Sequence, residues 1–276
     1  MAASARKRAP RRPTLAEVVD VLQEIAPLEL AADWDNVGLV VDPRDGGGDP
    51  AIARVLLTID LTSAVVAEAL RARAALVVAY HPPLFHGHKR LAADDPRQRA
   101  ALQAFAAGIP VYSPHTALDA APGGVADWLC EGLTGGDAPA AVHPLGDGEF
   151  GRLLELAAPT TLGALLPRIK AMLGTASLRL ALTSAGPRHK VRRVAVAAGA
   201  GGSILRAARA DLWLTGELSH HEALAAVAGG AAVVLGEHSN TERGYLQVLK
   251  KRLQGAFGRG LDVRVARADR DPFTLA

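Results

Sequence analysis

Short apolar runs alternate with helical patterns along most of the chain. Apolar runs predict buried strands over residues 54–59, 75–79 and 109–112, with helices over 63–73 and 97–107 between them. The alternation returns further along, with strands over 191–197, 212–215 and 231–235 and helices over 203–208, 219–228 and 241–253. Strands that alternate with helices are typical of parallel sheets covered on both faces. The sequence therefore predicts an α/β protein with largely parallel sheets.

The pattern also suggests how the chain divides. Thr14 and Glu17 have the spacing of a capping box that opens a first helix, which Pro27 ends. Strands over 153–156 and 178–182 flank a helix over 162–173, but the regular alternation of strand and helix patterns is interrupted near residues 125–150. We therefore predict a basic flexible tail over residues 1–13, a first α/β lobe formed by residues 14–125 and 233–276, and a second α/β lobe over 126–232.

Charge and cysteine content narrow the class of protein. The chain of 276 residues has a formal charge of +3, and five of its basic residues precede Pro13, so the remainder is close to neutral. A near-neutral body argues against nucleic-acid binding, and no apolar run approaches the length of a membrane span. With Cys130 as the one cysteine, an intramolecular disulfide is impossible. A buried, inert thiol and a reducing, cytoplasmic location fit this composition.

Imidazole and carboxylate groups follow three of the predicted strands. His81 follows the strand over 75–79, and Asp119 comes shortly after the strand over 109–112. His238 follows the strand over 231–235, with Glu242 four residues later. Open α/β sheets bind their ligands at the carboxyl ends of their strands. These four side chains are therefore the candidate site residues.

A metal site is the chemistry that these residue types favour. His238 and Glu242 have i,i+4 spacing, so both project from one face at the start of a helix and can bind one cation. Imidazole and carboxylate ligands suit Zn, Mn, Fe or Co, and a small ligand set leaves positions for water and substrate. Any one of these residues alone is more simply a hydrogen-bonded histidine or a surface charge. Their coincidence at three strand ends favours the metal.

Other polar positions leave alternatives open. The Gly-rich turn over 199–203 could present backbone amides to a phosphate, although tight strand-to-helix turns need glycine in any case. Glu217 could support the site or contact a substrate, whereas Ser219 and Glu222 have the spacing of a capping box. Asp60 follows a strand, where capping the next helix is the commoner role.

Five segments resemble the Nif-three-like family, also described as GTP cyclohydrolase 1 type 2 homologues. They are DNVGL at 35–39, YHPPLF at 80–85, SPHTALD at 113–119, TGELSHH at 215–221 and GEHSNTERG at 236–244. The resemblance runs in order from about residue 14 to the C-terminus and leaves out only the basic tail.

The resemblance implies a two-lobed α/β fold, a homohexamer and two divalent metal ions per subunit. It implies that His81 and Asp119 bind one metal, that His238 binds the other and that Glu242 bridges them. Many bacterial members have His-His where this chain has Tyr80-His81, so a phenol replaces one ligand of the second metal. The Tyr-His-Pro-Pro form is similar to that of eukaryotic members.

Two classes of function follow from the ligand set and the resemblance. The first is a metal-dependent hydrolase that acts on a nucleotide such as GTP, and hydrolysis of another phosphoester is a variant of it. The second is a non-catalytic metal-binding protein with an interaction or regulatory role. Turnover of a nucleotide by the metal-loaded protein separates the two classes.

Overall fold

The chain forms two β-sheets, each covered by helices on both faces. The structure, a computed structural model, describes residues 11–46, 48–87 and 89–274, so most of the basic tail lies outside the described residues. The strands are β1 (Gly38–Val41), β2 (Arg54–Thr58), β3 (Leu76–Ala79), β4 (Val111–Ser113), β5 (Ala141–Leu145), β6 (Gly151–Thr161), β7 (Arg179–Ala181), β8 (Lys190–Ala197), β9 (Leu212–Thr215), β10 (Ala232–Leu235) and β11 (Asp262–Val265). The helices are α1 (Leu15–Ile25), α2 (Ser63–Ala72), α3 (Pro96–Ala106), α4 (His115–Ala120), α5 (Val125–Thr134), α6 (Leu162–Leu173), α7 (Gly202–Leu205), α8 (His220–Ala228), α9 (Asn240–Arg243) and α10 (Tyr245–Phe257).

The first sheet has the strand order β1-β4-β3-β2-β11 and is parallel except for the edge strand β1. Successive residues of β2 and β3 point to opposite faces, where they meet different helices. Leu57 and Val78 pack with α1 and α10 on one face, and Leu56 and Val77 pack with α2 and α3 on the other. Because both faces are buried, the strands are continuous apolar runs, as the sequence predicts.

The second sheet has the order β5-β6-β8-β9-β10-β7. Strands β8, β9 and β10 are parallel, whereas β5, β6 and β7 add antiparallel pairs at the two sides. The short connection from β5 to β6 requires an antiparallel pair, because a parallel crossover needs a dozen or more residues. The second sheet is therefore mixed, and the α/β fold with two helix-covered sheets is confirmed.

The division into lobes stays a prediction, but sheet membership can be stated. Strand β10 pairs with β9 and β7 of the second sheet, so the predicted boundary at residue 233 falls inside a strand of that sheet. The segment 236–244 then leads from β10 to α10, which packs on the first sheet. The region near residues 125–150, where the alternating pattern is interrupted, forms α5 and the antiparallel strand β5.

Several local predictions are confirmed. Thr14 and Glu17 form a capping box at α1, and Ser219 and Glu222 form one at α8. Cys130 is buried on α5, and burial raises the pKa of its thiol to about 12, as expected of an inert cysteine. Over the described ranges, no helix is long and apolar enough to cross a membrane.

Candidate metal centre

Three of the four predicted site residues meet in the structure. His81 follows β3 of the first sheet, His238 follows β10 of the second sheet, and Glu242 lies on α9. Their ligand atoms lie within 4.8 Å of one another. His81 Nε2 is 3.5 Å from one carboxylate oxygen of Glu242, and His238 Nε2 is 3.4 Å from the other. Two imidazoles thus face opposite oxygens of one carboxylate, and this cluster could hold a metal ion.

The burial of Glu242 tests whether a cation fits. The residue is only 2% exposed, and its Oε2 atom has no hydrogen-bond partner within the described part of the chain. Burying an unpaired carboxylate oxygen costs several kcal/mol, so such atoms are normally paired or bound to metal. A divalent cation would satisfy this oxygen, and the donor set of two imidazoles and a carboxylate suits one. The residues present therefore fit a metal.

Each of the two histidines also contacts a further carboxylate through its Nδ1 atom, on the other side of the ring from Glu242. His81 Nδ1 is 3.0 Å from Asp60, and His238 Nδ1 is 3.0 Å from Glu217. Because a carboxylate accepts a hydrogen bond from Nδ1, each ring is oriented with Nε2 toward Glu242. Metal-binding histidines have this support as a rule.

The expected helix-capping role of Asp60 is wrong. The side chain of Thr62, two residues later, accepts the hydrogen bond from Val65 N and caps α2. Asp60 is thereby free to contact His81 Nδ1. The contact between Glu217 and His238 likewise settles where Glu217 points, which the sequence leaves open.

The electrostatics of His81 favour a positive charge at this position. Burial lowers the pKa of His81, but the hydrogen bond to Asp60 and the negative charges of Asp60 and Glu242 outweigh it and raise the pKa to about 10. Burial likewise raises the pKa of Asp60, and the His81 contact more than reverses the effect. A proton on His81 Nε2 and a cation beside Glu242 would therefore compete for the same negative charge.

The fourth predicted residue, Asp119, lies outside this close group. It lines a cavity that Glu242 and His238 also line. The phenol of Tyr80 donates a hydrogen bond of 2.6 Å to Asp119 Oδ1. Burial raises the pKa of Asp119 to about 8, while the Tyr80 hydrogen bond acts in the opposite direction. Burial also raises the pKa of Tyr80 well above its ordinary value, with the nearby carboxylates adding to the effect. Tyr80 is thus a neutral donor to Asp119, whose role as a ligand stays a prediction.

His115 and Asp35 form a further pair beside the centre. His115 Nδ1 is 2.8 Å from Asp35 Oδ1, and the His115 ring centroid is 5.4 Å from that of His81. Asp35 also accepts hydrogen bonds from the amide and hydroxyl of Thr116. The sequence places His115 after a strand, but only the fold brings Asp35 to it from 80 residues away.

The Gly-rich turn closes over the centre. Gly199 has φ +55°, and a Cβ atom there would lie 2.8 Å from Glu242 Oε1 and 2.9 Å from His238 Nε2. The amide of Gly199 donates to Thr241 Oγ1, and that of Gly201 donates to Thr215 Oγ1. Because both amides are already bonded, the phosphate-binding hypothesis loses two of its donors. The absence of a side chain instead lets the backbone of Gly199 approach Glu242 and His238, and that of Gly201 approach Thr215.

A cavity of about 450 Å³ opens beside Glu242 and His238. Its size is in the range of small-molecule binding sites. Its walls come from the loops of both sheets. They include aromatic side chains and the turn after β8; among the lining residues are Trp34, Phe85, Phe150, Gly199 and Ile204.

Comparison with known proteins identifies the family of this chain. The family model for Duf34/NIF3 (NGG1p interacting factor 3) matches residues 13–272. The chain therefore belongs to the NIF3 family, and the resemblance found in its motifs is confirmed. It is similar to the "Protein NIF3 homolog" of Schizosaccharomyces pombe, with 43% identity covering 92% of this chain and 95% of that protein. It is also similar to "NGG1-interacting factor 3" of Saccharomyces cerevisiae, with 38% identity covering 98% and 99% of the two chains.

Solved structures share the fold at lower identity. A Bacillus cereus protein related to NIF3 superposes with a TM-score of 0.81 and 20% identity, covering 96% of this chain and all of that one. Reduced HcgD from Methanocaldococcus jannaschii gives a TM-score of 0.79 and 23% identity, covering 94% and 99%. Both likenesses concern the fold alone.

Proposed function

We propose that this protein binds divalent metal at the cluster of His81, His238 and Glu242 and uses it to hydrolyse a small nucleotide-like substrate. The observation that carries the proposal is the buried Glu242 carboxylate, whose two oxygens face two oriented imidazoles at the edge of a cavity. Asp119 completes the proposed ligand set. Two ions per subunit, a hexameric assembly and a cytoplasmic location belong to the same proposal.

The bound metal would supply Lewis-acid chemistry at a substrate oxygen. The neighbouring residues would hold protons and orient the metal-binding histidines. His115, oriented through Nδ1 by Asp35, leaves Nε2 as a group that can hold or move a proton beside the cavity. Asp60 and Glu217 keep the two metal-binding rings in place.

A non-catalytic role is the second candidate. The name of the Saccharomyces cerevisiae relative, "NGG1-interacting factor 3", describes an interaction with NGG1, and its similarity to this chain extends over nearly the whole length. An interaction protein can keep a metal site for structural reasons, because metal binding adds to folding free energy. The cavity beside the ligands favours the hydrolase, and the experiment below separates the two candidates.

The test begins with elemental analysis of purified protein. We expect wild-type protein to contain Zn, Mn, Fe or Co, and His238→Ala and Glu242→Gln to lose most of it while keeping native circular dichroism. His143→Ala is the matched control, because His143 is an exposed histidine on β5. Unchanged metal content in Glu242→Gln would remove this cluster from consideration.

Activity is then measured on metal-loaded protein. Formate release from GTP and cleavage of generic phosphoesters are followed with each of the four metals. Turnover that is lost in Glu242→Gln but kept in His143→Ala supports the hydrolase. A stoichiometrically loaded, folded protein without turnover on either substrate class would instead support the non-catalytic candidate.

A further inference from the structure

Trp34 stands at the cavity with most of its side chain exposed to solvent. The residue is 61% exposed, although it lines the same cavity as His238 and Glu242. A single exposed apolar residue is ordinary on a protein surface. An exposed tryptophan on the wall of a concave pocket is a different case, because pockets use aromatic side chains to bind ligands.

The segment that carries Trp34 is held by the side chains of the two residues that follow it. Asp35 accepts hydrogen bonds from Thr116 and contacts His115 Nδ1 at 2.8 Å. Asn36 donates its side-chain amide to the carbonyl of Leu84. The segment is thus fixed to the loops after β3 and β4, and the indole is carried on a rigid support. Because the support is already ordered, a ligand that stacks on the indole would cause little further loss of conformational entropy.

The neighbouring rings form an apolar corner. Phe85 meets Trp34 edge to face, with 5.7 Å between centroids and an interplanar angle of 62°. His115 is 6.3 Å from Trp34, at 74°. With 61% of its surface exposed, Trp34 keeps indole surface available for a ligand, and offset stacking is a favourable aromatic arrangement. Phe150, from the second sheet, lines the same cavity.

The polar end of the cavity is at the metal cluster. Glu242 and His238 line it beside Asp119, and Ser203 adds a hydroxyl. A ligand that matches both ends has a flat ring at Trp34 and a polar group at the cluster. The walls are concave and the volume is about 450 Å³, which favours a small molecule over the flatter surface of a protein partner.

We propose that Trp34 stacks on the planar heteroaromatic ring of the substrate, with Phe85 supporting the indole, and that this contact selects nucleobase-containing molecules. The inference rests on the proposed function for the chemistry at the cluster. Binding of the ring to Trp34 is measured without turnover, so a failure of the stacking proposal can be distinguished from a failure of the proposed hydrolysis.

The test is titration of the metal-loaded protein and of the EDTA-treated protein with each of the four ribonucleoside monophosphates. Binding is followed by tryptophan fluorescence and calorimetry, and ribose 5-phosphate, which lacks a nucleobase, is the control. Trp213 is 7% exposed and Trp128 is packed against Tyr245, so Trp34 is the tryptophan that meets the ligand. We expect saturable quenching by at least one nucleotide and none by ribose 5-phosphate, with the quenching persisting after metal removal.

Variants test whether the fluorescence quenching comes from Trp34. Trp34→Ala should abolish the quenching and weaken binding about tenfold, the range measured for base–aromatic stacking. Trp34→Phe should keep most of the affinity, and Phe105→Ala is the matched control because Phe105 is an exposed aromatic residue on α3. All three variants should keep the wild-type metal content.

Three results would overturn the proposal. One is the absence of quenching by all four nucleotides. Another is equal affinity of Trp34→Ala and wild type. The third is a change in oligomeric mass of Trp34→Ala, measured by light scattering, without a change in nucleotide affinity; Trp34 would then be a protein contact. Loss of turnover alone would bear only on the proposed hydrolysis.

Discussion

Replacing Gly199 with alanine should weaken metal binding at the proposed cluster without substituting any of its ligands. The residue has φ +55°, where an L-residue is strained by roughly 1–2 kcal/mol. The added methyl carbon would lie 2.8 Å from Glu242 Oε1 and 2.9 Å from His238 Nε2. Ordinary contacts are about 3.5 Å, so each ligand atom must move by roughly 0.6 Å.

A displacement of this size should weaken metal binding substantially. Substitutions that disturb the orientation of metal ligands typically lower affinity by about 10–100-fold. Gly199→Ala acts directly on two ligand atoms, so we expect an effect at the upper end of that range. The strain at positive φ adds a loss of stability that is unrelated to the metal.

Gly174→Ala separates these two effects. Gly174 caps α6 at φ +66°, and a Cβ atom there would meet nothing within 4 Å. Both variants carry similar backbone strain, but only Gly199→Ala crowds the cluster. Metal affinity measured by competition with a chromogenic chelator, together with thermal unfolding in EDTA, gives the two quantities separately. Equal metal affinity in the two variants would refute the geometry described for Gly199.

Other sites give independent predictions. Cys130, with its thiol pKa near 12, should resist iodoacetamide at pH 8 in native protein and react fully in urea, as read by mass spectrometry; rapid native labelling would contradict its burial. Arg152 pairs with Asp127 at 2.6 Å in a buried setting, so Arg152→Met should lower the free energy of unfolding by about 3 kcal/mol. The exposed Arg192, tested as Arg192→Met, should lose less than about 1 kcal/mol, and equal losses in urea titrations would refute the contrast. Ser219→Ala should lose about 1 kcal/mol with its capping box, and an unchanged midpoint would contradict this.

The sequence predicts the parts of this protein that depend on local pattern. Buried parallel strands are apolar runs, so their ends can be located, and two of the three strand ends lead to His81, His238 and Glu242. Capping boxes are equally local, and both were found as expected. The antiparallel strand β5 is largely exposed, and its weak apolar pattern hides it from this kind of prediction.

Contacts across the fold are beyond a single sequence. Asp60 is an acceptable helix cap by position, and only the structure reveals that Thr62 takes that role and leaves Asp60 to His81. Asp35 meets His115 across 80 residues, and no spacing rule connects them. The Gly199 turn has the composition of an anion site, yet its amide is bonded to Thr241.

The placement of the ligands also has a mechanical consequence. His81 extends from the first sheet, whereas His238 and Glu242 lie on the segment that joins the second sheet to α10. A cation held among them would link the end of β3 in the first sheet to the segment that follows β10 of the second sheet. Removing it with a chelator would release that restraint, so the relative orientation of the sheets and the occupancy of the centre are thermodynamically coupled.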